Sequence, residues 1–147
     1  MLKDNLLMLR KLHGFSQEEI AERIGISRQA YAKWETGTTV PDIEMCSLLA
    51  KTYGTSIDSL VATVSVEGVE EQIPPGPKGK NICGSIVIGD RGQLVIPKAV
   101  RDLFGLTGGQ RLIVLTDEEE GIALVPAERF EARMKEVLAR ASANRME

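Results

Sequence analysis

The stretch from residue 16 to residue 37, SQEEIAERIGISRQAYAKWETG, constrains the fold more than any other part of the chain. It begins with Ser16 and has Glu19 three residues later, which is the spacing of a capping box at a helix start. Gly25 follows the last apolar residue of this helix, where a left-handed residue commonly ends one. Ser27 then repeats the pattern as a second N-cap. Two short helices joined by a short turn that contains glycine are typical of a helix-turn-helix unit.

The second helix of this unit has an apolar stripe and a polar face. At 100° per residue, three apolar side chains fall on one side and predict the inward face: Ala30, Tyr31 and Trp34. The opposite side carries Arg28, Gln29, Ala32, Lys33 and Thr36. Arginine, lysine and glutamine are side chains that hydrogen-bond to base edges in the major groove. An ordinary solvated helix face is also polar, so periodicity alone leaves both interpretations open.

Together with Pro41 and the sequence IDSL at residues 57–60, the unit resembles the phage-repressor (Xre/Cro-like) helix-turn-helix family over residues 1–61. The resemblance implies a compact five-helix domain that binds operator DNA as a dimer. It implies that three side chains contact bases: Arg28, Gln29 and Lys33. It implies that four residues contact phosphates: Gln17, Ser27, Thr36 and Thr38. It also implies a structural pair between Arg10 and Glu35.

Charge and composition limit the classes of function. The formal net charge of −3 provides no overall attraction to nucleic acid, so DNA affinity must come from locally placed basic residues. The loop at residues 38–40 lacks the basic residues often found there in the family, which predicts fewer phosphate contacts. We find neither a long apolar run nor a signal peptide, so we expect a cytoplasmic protein that does not contact membranes.

The residue types that catalyse reactions or bind metals are sparse and scattered. Cys46 and Cys83 lie far apart, and His13 is the only histidine. The carboxylates form no cluster, and we find no nucleophile–base pair or phosphate loop. We therefore expect no catalytic residues, no metal and no cofactor, and we expect a buried structural role for Cys46.

The remainder of the first domain and the stretch after it differ in composition. Apolar periodicity predicts three more helices, at residues 2–13, 42–53 and 56–60. Residues 62–81 predict a linker, because the part EGVEEQIPPGPKGK is rich in proline, glycine and charge and has little to bury. We expect this linker to let the first domain adjust its position. An edge strand through Val64 and Val66 is the alternative.

In residues 82–127 the apolar residues recur at a shorter spacing than in the helical part, which predicts a ββαββ unit. Its elements are strands at 85–88 and 93–96, a helix opened by Pro97 and closed by Gly105, and a hairpin of 111–116 and 121–125. About 45 residues cannot bury their own apolar faces without a disulfide or a metal. We therefore expect an obligate homodimer through residues 82–127.

The sequence GQLVIPKAVRDLFGLTGGQRLIVL within this unit resembles the AbrB/MazE swapped-hairpin family. The resemblance implies that two chains exchange hairpins into one small barrel-like dimer, in a family of transcription-state regulators and antitoxins. It implies secondary DNA contacts by Arg91, Lys98 and Arg101. However, Gln93 stands where an arginine is common in DNA-binding members, and residues 82–127 hold four basic and six acidic side chains. Dimerisation is therefore favoured over direct DNA contact.

The tail, residues 128–147, predicts an amphipathic helix. Its apolar residues are spaced at i, i+4, i+7 and i+11: Phe130, Met134, Val137 and Ala141. The stripe either packs on its own domain or its dimer twin, or it docks another protein. We expect the chain to fray from Ser142 onward.

The sequence thus predicts a multidomain fold, α followed by α+β. An all-α helix-turn-helix domain is followed by a linker, a small swapped-hairpin dimerisation domain and a C-terminal helix. We expect a non-enzymatic, sequence-specific transcriptional regulator, such as a repressor, that binds double-stranded DNA as a homodimer on a roughly palindromic operator. The alternative is an antitoxin-like interaction protein that neutralises a partner and autoregulates its own promoter.

Overall fold

A computed structural model describes residues 1–143 of the chain. The chain divides into two compact units, Met1–Val95 and Ile96–Glu147. The sequence placed domain boundaries after residues 61, 81 and 127 instead, and those boundaries stay a prediction. Among the described residues, no helix is both long enough and apolar enough to cross a membrane.

The first unit begins with the five helices predicted from the sequence. Their bounds are α1 Leu2–Leu12, α2 Gln17–Ile24, α3 Arg28–Glu35, α4 Ile43–Thr52 and α5 Ile57–Val61. The buried core unites side chains from all of them: Leu6, Leu9, Ile20, Ala21, Ile24, Tyr31, Cys46, Leu49, Ala50, Tyr53 and Leu60. The predicted burial of Cys46 is confirmed. Trp34 is partly buried and packs against this core.

Local capping sets the bounds of α2 and the start of α3. The Ser16 hydroxyl accepts the Glu19 N–H at 3.1 Å, while the Glu19 carboxylate accepts the Ser16 N–H at 2.7 Å. Gly25 ends α2 with a φ of 73°, a left-handed conformation that glycine adopts without strain. The Ser27 hydroxyl accepts the Ala30 N–H at 3.2 Å and caps α3. The predicted capping box and turn are therefore confirmed.

The stretch predicted as a linker contacts the helical part of the chain at several points. Its contacts include hydrogen bonds from Thr55 to the Gly76 carbonyl and from the Lys78 N–H to the Gly54 carbonyl. Pro75 is buried. Val64 and Val66 lie outside the strands of the described chain.

Residues 85–96 differ from the prediction of two strands. The Gly89 N–H donates to the Gln93 carbonyl at 2.8 Å and closes a turn, but residues 85–88 and 93–96 form no strand in the described chain. Val87 is 88% exposed and Val95 is 76% exposed. A strand requires a neighbouring strand for its ladder of hydrogen bonds. A single copy of this chain does not supply one, so only part of the predicted ββαββ order is observed.

The second unit begins with α6, Lys98–Phe104, and continues with β1, Leu112–Asp117, β2, Gly121–Pro126, and α7, Ala127–Ala143. Pro97 precedes α6 and Gly105 ends it with a φ of 62°, as predicted. Strands β1 and β2 form an antiparallel hairpin in which Ile113 pairs with Val125. The predicted helix and second hairpin are confirmed.

The second unit buries very little in a single chain. Within its described residues, Ala127 alone is buried. Ile122 is 75% exposed, and other large apolar side chains are also exposed: Leu103, Phe104, Val114, Leu115 and Leu124. So much exposed apolar surface is unusual for a small soluble unit.

The predicted tail helix is confirmed as α7. Phe130 at its start is half-buried, whereas Met134, Val137 and Ala141 along the same stripe are exposed. Ser142 still lies in α7, where its hydroxyl donates to the Leu138 carbonyl at 3.0 Å. The remainder of the segment expected to fray, residues 144–147, lies outside the described residues.

Candidate nucleic-acid interface

Two buried tyrosines fix the inward face of α3. Tyr31 is fully buried, and its hydroxyl lies 2.9 Å from the Tyr53 hydroxyl of the loop after α4. Burial raises the pKa of Tyr53 to about 12 and raises the pKa of Tyr31 as well. Trp34 packs edge-on against Tyr31, with ring centroids 6.1 Å apart. The rotation of α3 about its own axis is thereby set by packing.

The opposite face of α3 brings together the three residues predicted to contact bases. Arg28, Gln29 and Lys33 are all exposed. Within residues 1–143 their side chains form no hydrogen bond or ion pair, so each is available to an external partner. This arrangement can present two cations and one amide to the edges of stacked bases. Their contacts with bases stay a prediction.

An ion pair behind this face holds α3 against α1. Arg10 and Glu35 form the pair that the family resemblance implies, and their side chains are only 15% and 4% exposed. Gln17 adds a third member by donating through Nε2 to Glu35 Oε2 at 2.9 Å. Burial by itself raises the pKa of Glu35, but the hydrogen bonds from Arg10 and Gln17 outweigh it and hold that pKa below its ordinary value. Glu35 is therefore ionised at neutral pH.

The four predicted phosphate contacts occupy the ends of α2 and α3. Ser27 is exposed and uses its hydroxyl as the cap of α3, whereas Gln17 is half-buried and bonded to Glu35. The Thr36 hydroxyl donates to the Lys33 carbonyl at 3.1 Å and lies 2.9 Å from the Thr38 hydroxyl. The four phosphate contacts also stay a prediction.

Two of the three basic residues predicted as secondary DNA contacts have partners of their own. Lys98 pairs with Asp102 at 2.5 Å across one turn of α6, and Arg101 Nε donates to the Ile96 carbonyl at 3.2 Å. Arg91 is exposed in the turn after Gly89. The Lys98–Asp102 pair leaves less positive charge for a phosphate than the sequence alone indicates.

Asn5 has a structural role that the sequence analysis did not predict. It is 1% exposed and its amide holds the chain that follows α5. A signal was present, because Asn5 stands beside Leu6 and one turn before Leu9 on the buried face of α1. A buried amide requires hydrogen-bond partners, so this position pointed to an extra segment packed on α1.

No group of three or more histidine, cysteine, aspartate or glutamate side chains in residues 1–143 is placed to hold a metal ion. Cys83 is exposed and Cys46 is buried, with burial raising the pKa of its thiol.

Family models match both halves of the chain. Residues 6–60 match the helix-turn-helix model, and residues 86–132 match the model described as antidote-toxin recognition MazE, bacterial antitoxin. The fusion that the sequence indicated is confirmed.

Several curated relatives are similar to part of this chain. The uncharacterized helix-turn-helix-type transcriptional regulator MJ0272 of Methanocaldococcus jannaschii is 32% identical over 59 residues, which cover 40% of this chain and 89% of the relative. The chain belongs to the family of helix-turn-helix transcriptional regulators. Two further members of this family are longer outside the matched region. The SPbeta prophage-derived regulator YonR of Bacillus subtilis is 36% identical over 42% of this chain and 56% of its own length.

The other longer member is a repressor. The cryptic phage CTXphi transcriptional repressor RstR of Vibrio cholerae is 34% identical over 50% of this chain and 65% of its own length. The matched region therefore spans less than two thirds of YonR and of RstR. The helix-turn-helix model that matches residues 6–60 covers α3 and its exposed face.

Proposed function

We propose that the chain is a sequence-specific DNA-binding transcriptional regulator that acts as a homodimer on a roughly palindromic operator. The observation that carries this proposal is the exposed face of α3, where Arg28, Gln29 and Lys33 stand together on a helix fixed from behind. The names of the relatives, which are transcriptional regulators and a repressor, support it. The proposed activity is non-enzymatic.

Base contacts follow from the chemistry of these three side chains. Arginine and lysine donate to the O6 and N7 atoms of guanine, and glutamine pairs with the N6 and N7 atoms of adenine. Because Arg28 and Gln29 open α3 and Lys33 follows one turn later, they reach successive bases when the start of α3 enters the major groove. Gln17, Ser27, Thr36 and Thr38 then contact the flanking phosphates and fix the register.

The exposed apolar surface of residues 82–127 supports the homodimer. We propose that strands at 85–88 and 93–96 form when hairpins are exchanged between two copies, which would cover side chains such as Val87, Val95 and Ile122. The interface then replaces the core that the single chain lacks. Arg91, Lys98 and Arg101 would be secondary DNA contacts, weakened by the Lys98–Asp102 pair.

Selection of bound duplexes from a random DNA library tests this proposal with the full chain. We expect an inverted repeat whose half-sites lie about 34 Å, one helical turn, apart or a multiple of it. A variant with Arg28, Gln29 and Lys33 all changed to alanine should select nothing, whereas Lys51→Ala, which removes an exposed lysine of α4, should select the same repeat. Absence of an enriched sequence from the wild-type selection would refute the proposal.

A second candidate function is an antitoxin-like protein that neutralises a partner and autoregulates its promoter. The MazE match and the exposed stripe of Met134, Val137 and Leu138 on α7 favour it. Its test is co-expression with the product of a neighbouring reading frame that arrests growth. A Met134→Asp, Val137→Asp double variant should lose neutralisation but keep DNA binding. If the double variant still neutralises the partner, α7 is not the neutralising segment.

A further inference from the structure

Residues 62–78, which we call the strap, are held on the helical domain at both ends. At the first end, Asn5 Nδ2 donates to the carbonyls of Leu60 at 2.8 Å and Ala62 at 2.7 Å. Asn5 Oδ1 also accepts from Gln72 Nε2 at 3.1 Å. Both the nitrogen and the oxygen of this buried amide therefore bind α5 or the strap.

The second end is bound by the loop between α4 and α5. Thr55, which is 5% exposed, donates through Oγ1 to the Gly76 carbonyl at 2.6 Å. The Lys78 N–H donates to the Gly54 carbonyl at 2.9 Å, and Pro75 between these contacts is buried. The prolines of this stretch have a fixed φ, so docking costs less backbone entropy than it would for an ordinary flexible segment.

Docking of the strap shortens the free connection between the two predicted domains. If residues 62–81 were all flexible, their root-mean-square span would be about 25 Å. With the strap bound through Lys78, only residues 79–81 separate it from the second predicted domain, and the Lys80 N–H already donates to the Pro77 carbonyl at 2.9 Å. Even a fully extended connection of three residues spans at most about 10 Å. We propose that the docked strap restricts the dimer to a narrow range of half-site spacings on DNA. This inference depends on the proposed function, since it concerns how two copies of α3 reach one duplex.

The physical consequence is a change in effective concentration. A flexible connection lets the second helical domain reach half-sites at many separations and angular positions, whereas a short one allows few. Binding of both half-sites can raise affinity by about 10²–10⁴-fold over one half-site, and this gain is lost when the geometry prevents simultaneous contact. The strap thus sets specificity through spacing, in addition to the base contacts of α3.

Two substitutions together release the second end of the strap. Thr55→Val removes the hydroxyl that binds Gly76 and keeps the side-chain shape. Gly76→Ala places a Cβ 2.7 Å from the Lys80 carbonyl oxygen, so the turn at residues 77–80 must shift. Thr52→Val is the matched control, because the Thr52 hydroxyl bonds to the Leu48 carbonyl within α4.

The experiment measures binding of the full chain to duplexes that carry the selected half-site as an inverted repeat, with zero to ten inserted base pairs. For the wild type and Thr52→Val we expect a loss of about 100-fold at an insertion of half a helical turn. For the Thr55→Val, Gly76→Ala double variant we expect a loss of about tenfold or less. Amide hydrogen exchange at Lys78 should be slow in the first two proteins and fast in the double variant.

Each outcome either supports or overturns the proposal that the docked strap limits the half-site spacing. Equal spacing profiles for the wild type and the double variant would overturn the strap proposal while leaving the proposed function intact. A broadened profile for Thr52→Val, or unprotected exchange at Lys78 in the wild type, would overturn it as well. If the wild type bound no duplex at any spacing, the proposed function itself would be wrong.

Discussion

Arg10 donates two hydrogen bonds to Glu35, from Nε to Oε1 at 2.6 Å and from Nη2 to Oε2 at 3.1 Å, and so joins α1 to the end of α3. Arg10 also donates through Nη1 to the Phe15 carbonyl at 2.9 Å, which ties the same guanidinium to the loop before α2. One side chain therefore positions three segments of the helix-turn-helix unit. The exposed face of α3 depends on this pair for its orientation.

Glu35→Gln should destabilise the helical domain. The change removes the charge that pairs with Arg10, and an incompletely paired buried guanidinium is unfavourable, so we expect the free energy of unfolding to fall by about 2–3 kcal/mol. Trp34, the single tryptophan, adjoins this site and reports unfolding by fluorescence in a urea titration. The control Glu22→Gln, at an exposed position of α2, should change stability by less than about 0.5 kcal/mol. Equal effects of the two variants would contradict a stabilising role for the pair.

The stability of the helical domain should decrease in acid because of Glu35. Hydrogen bonds from Arg10 and Gln17 hold its folded-state pKa below the ordinary value near 4.5, despite the opposing effect of burial. Its contribution is therefore fully present above pH 4.5 and is lost as the pH falls through the lower, folded-state pKa. Urea midpoints of Trp34 fluorescence should differ between wild type and Glu35→Gln at pH 7 and converge toward pH 3. A constant difference across this range would contradict the assignment.

The elements that the sequence predicted correctly depend on local signals. Ser16, Glu19 and Ser27 act on N–H groups within three residues, and Gly25 relieves strain at its own position, so each signal can be found in a short window. The Arg10–Glu35 pair spans 25 residues, and it was predicted only through the resemblance to a known family.

The features that the sequence did not predict depend on distant partners. Asn5 and Gln72 are 67 residues apart, and composition alone indicated a flexible linker where Pro75 is buried. Conversely, strands were predicted at 85–88 and 93–96 from apolar patterning, which does not reveal whether a pairing strand exists in the same chain. The base contacts of α3 require a bound duplex and remain predictions.

Gln29→Ala should weaken binding to the selected operator much more than binding to random DNA. Gln29 is exposed and carries no charge, so its removal affects base recognition and leaves attraction to phosphates unchanged. We expect a loss of about 1–3 kcal/mol on the operator and a relaxed preference at one base position. Titrations at several salt concentrations should give the same salt dependence as the wild type. An equal loss on both kinds of DNA would indicate that Gln29 contacts phosphates.

Val87→Asp should convert the dimer into monomers. Val87 is 88% exposed in the single chain, so a charge there is harmless to a monomer but unfavourable once a second copy covers the position. Analytical ultracentrifugation should show a dimer for the wild type and a monomer for the variant. The affinity for the two-fold operator should fall by about 100-fold, because the avidity of two linked half-sites is lost.

The control for this prediction is Leu12→Asp. Leu12 is 64% exposed at the end of α1, so the change introduces the same charge on the helical domain, away from residues 82–127. It should leave the molecular mass and the operator affinity unchanged. If Val87→Asp stayed dimeric, or if the wild type sedimented as a monomer at micromolar concentration, the hairpin residues would not form the dimer interface, and the apolar surface around Val87 would need another partner.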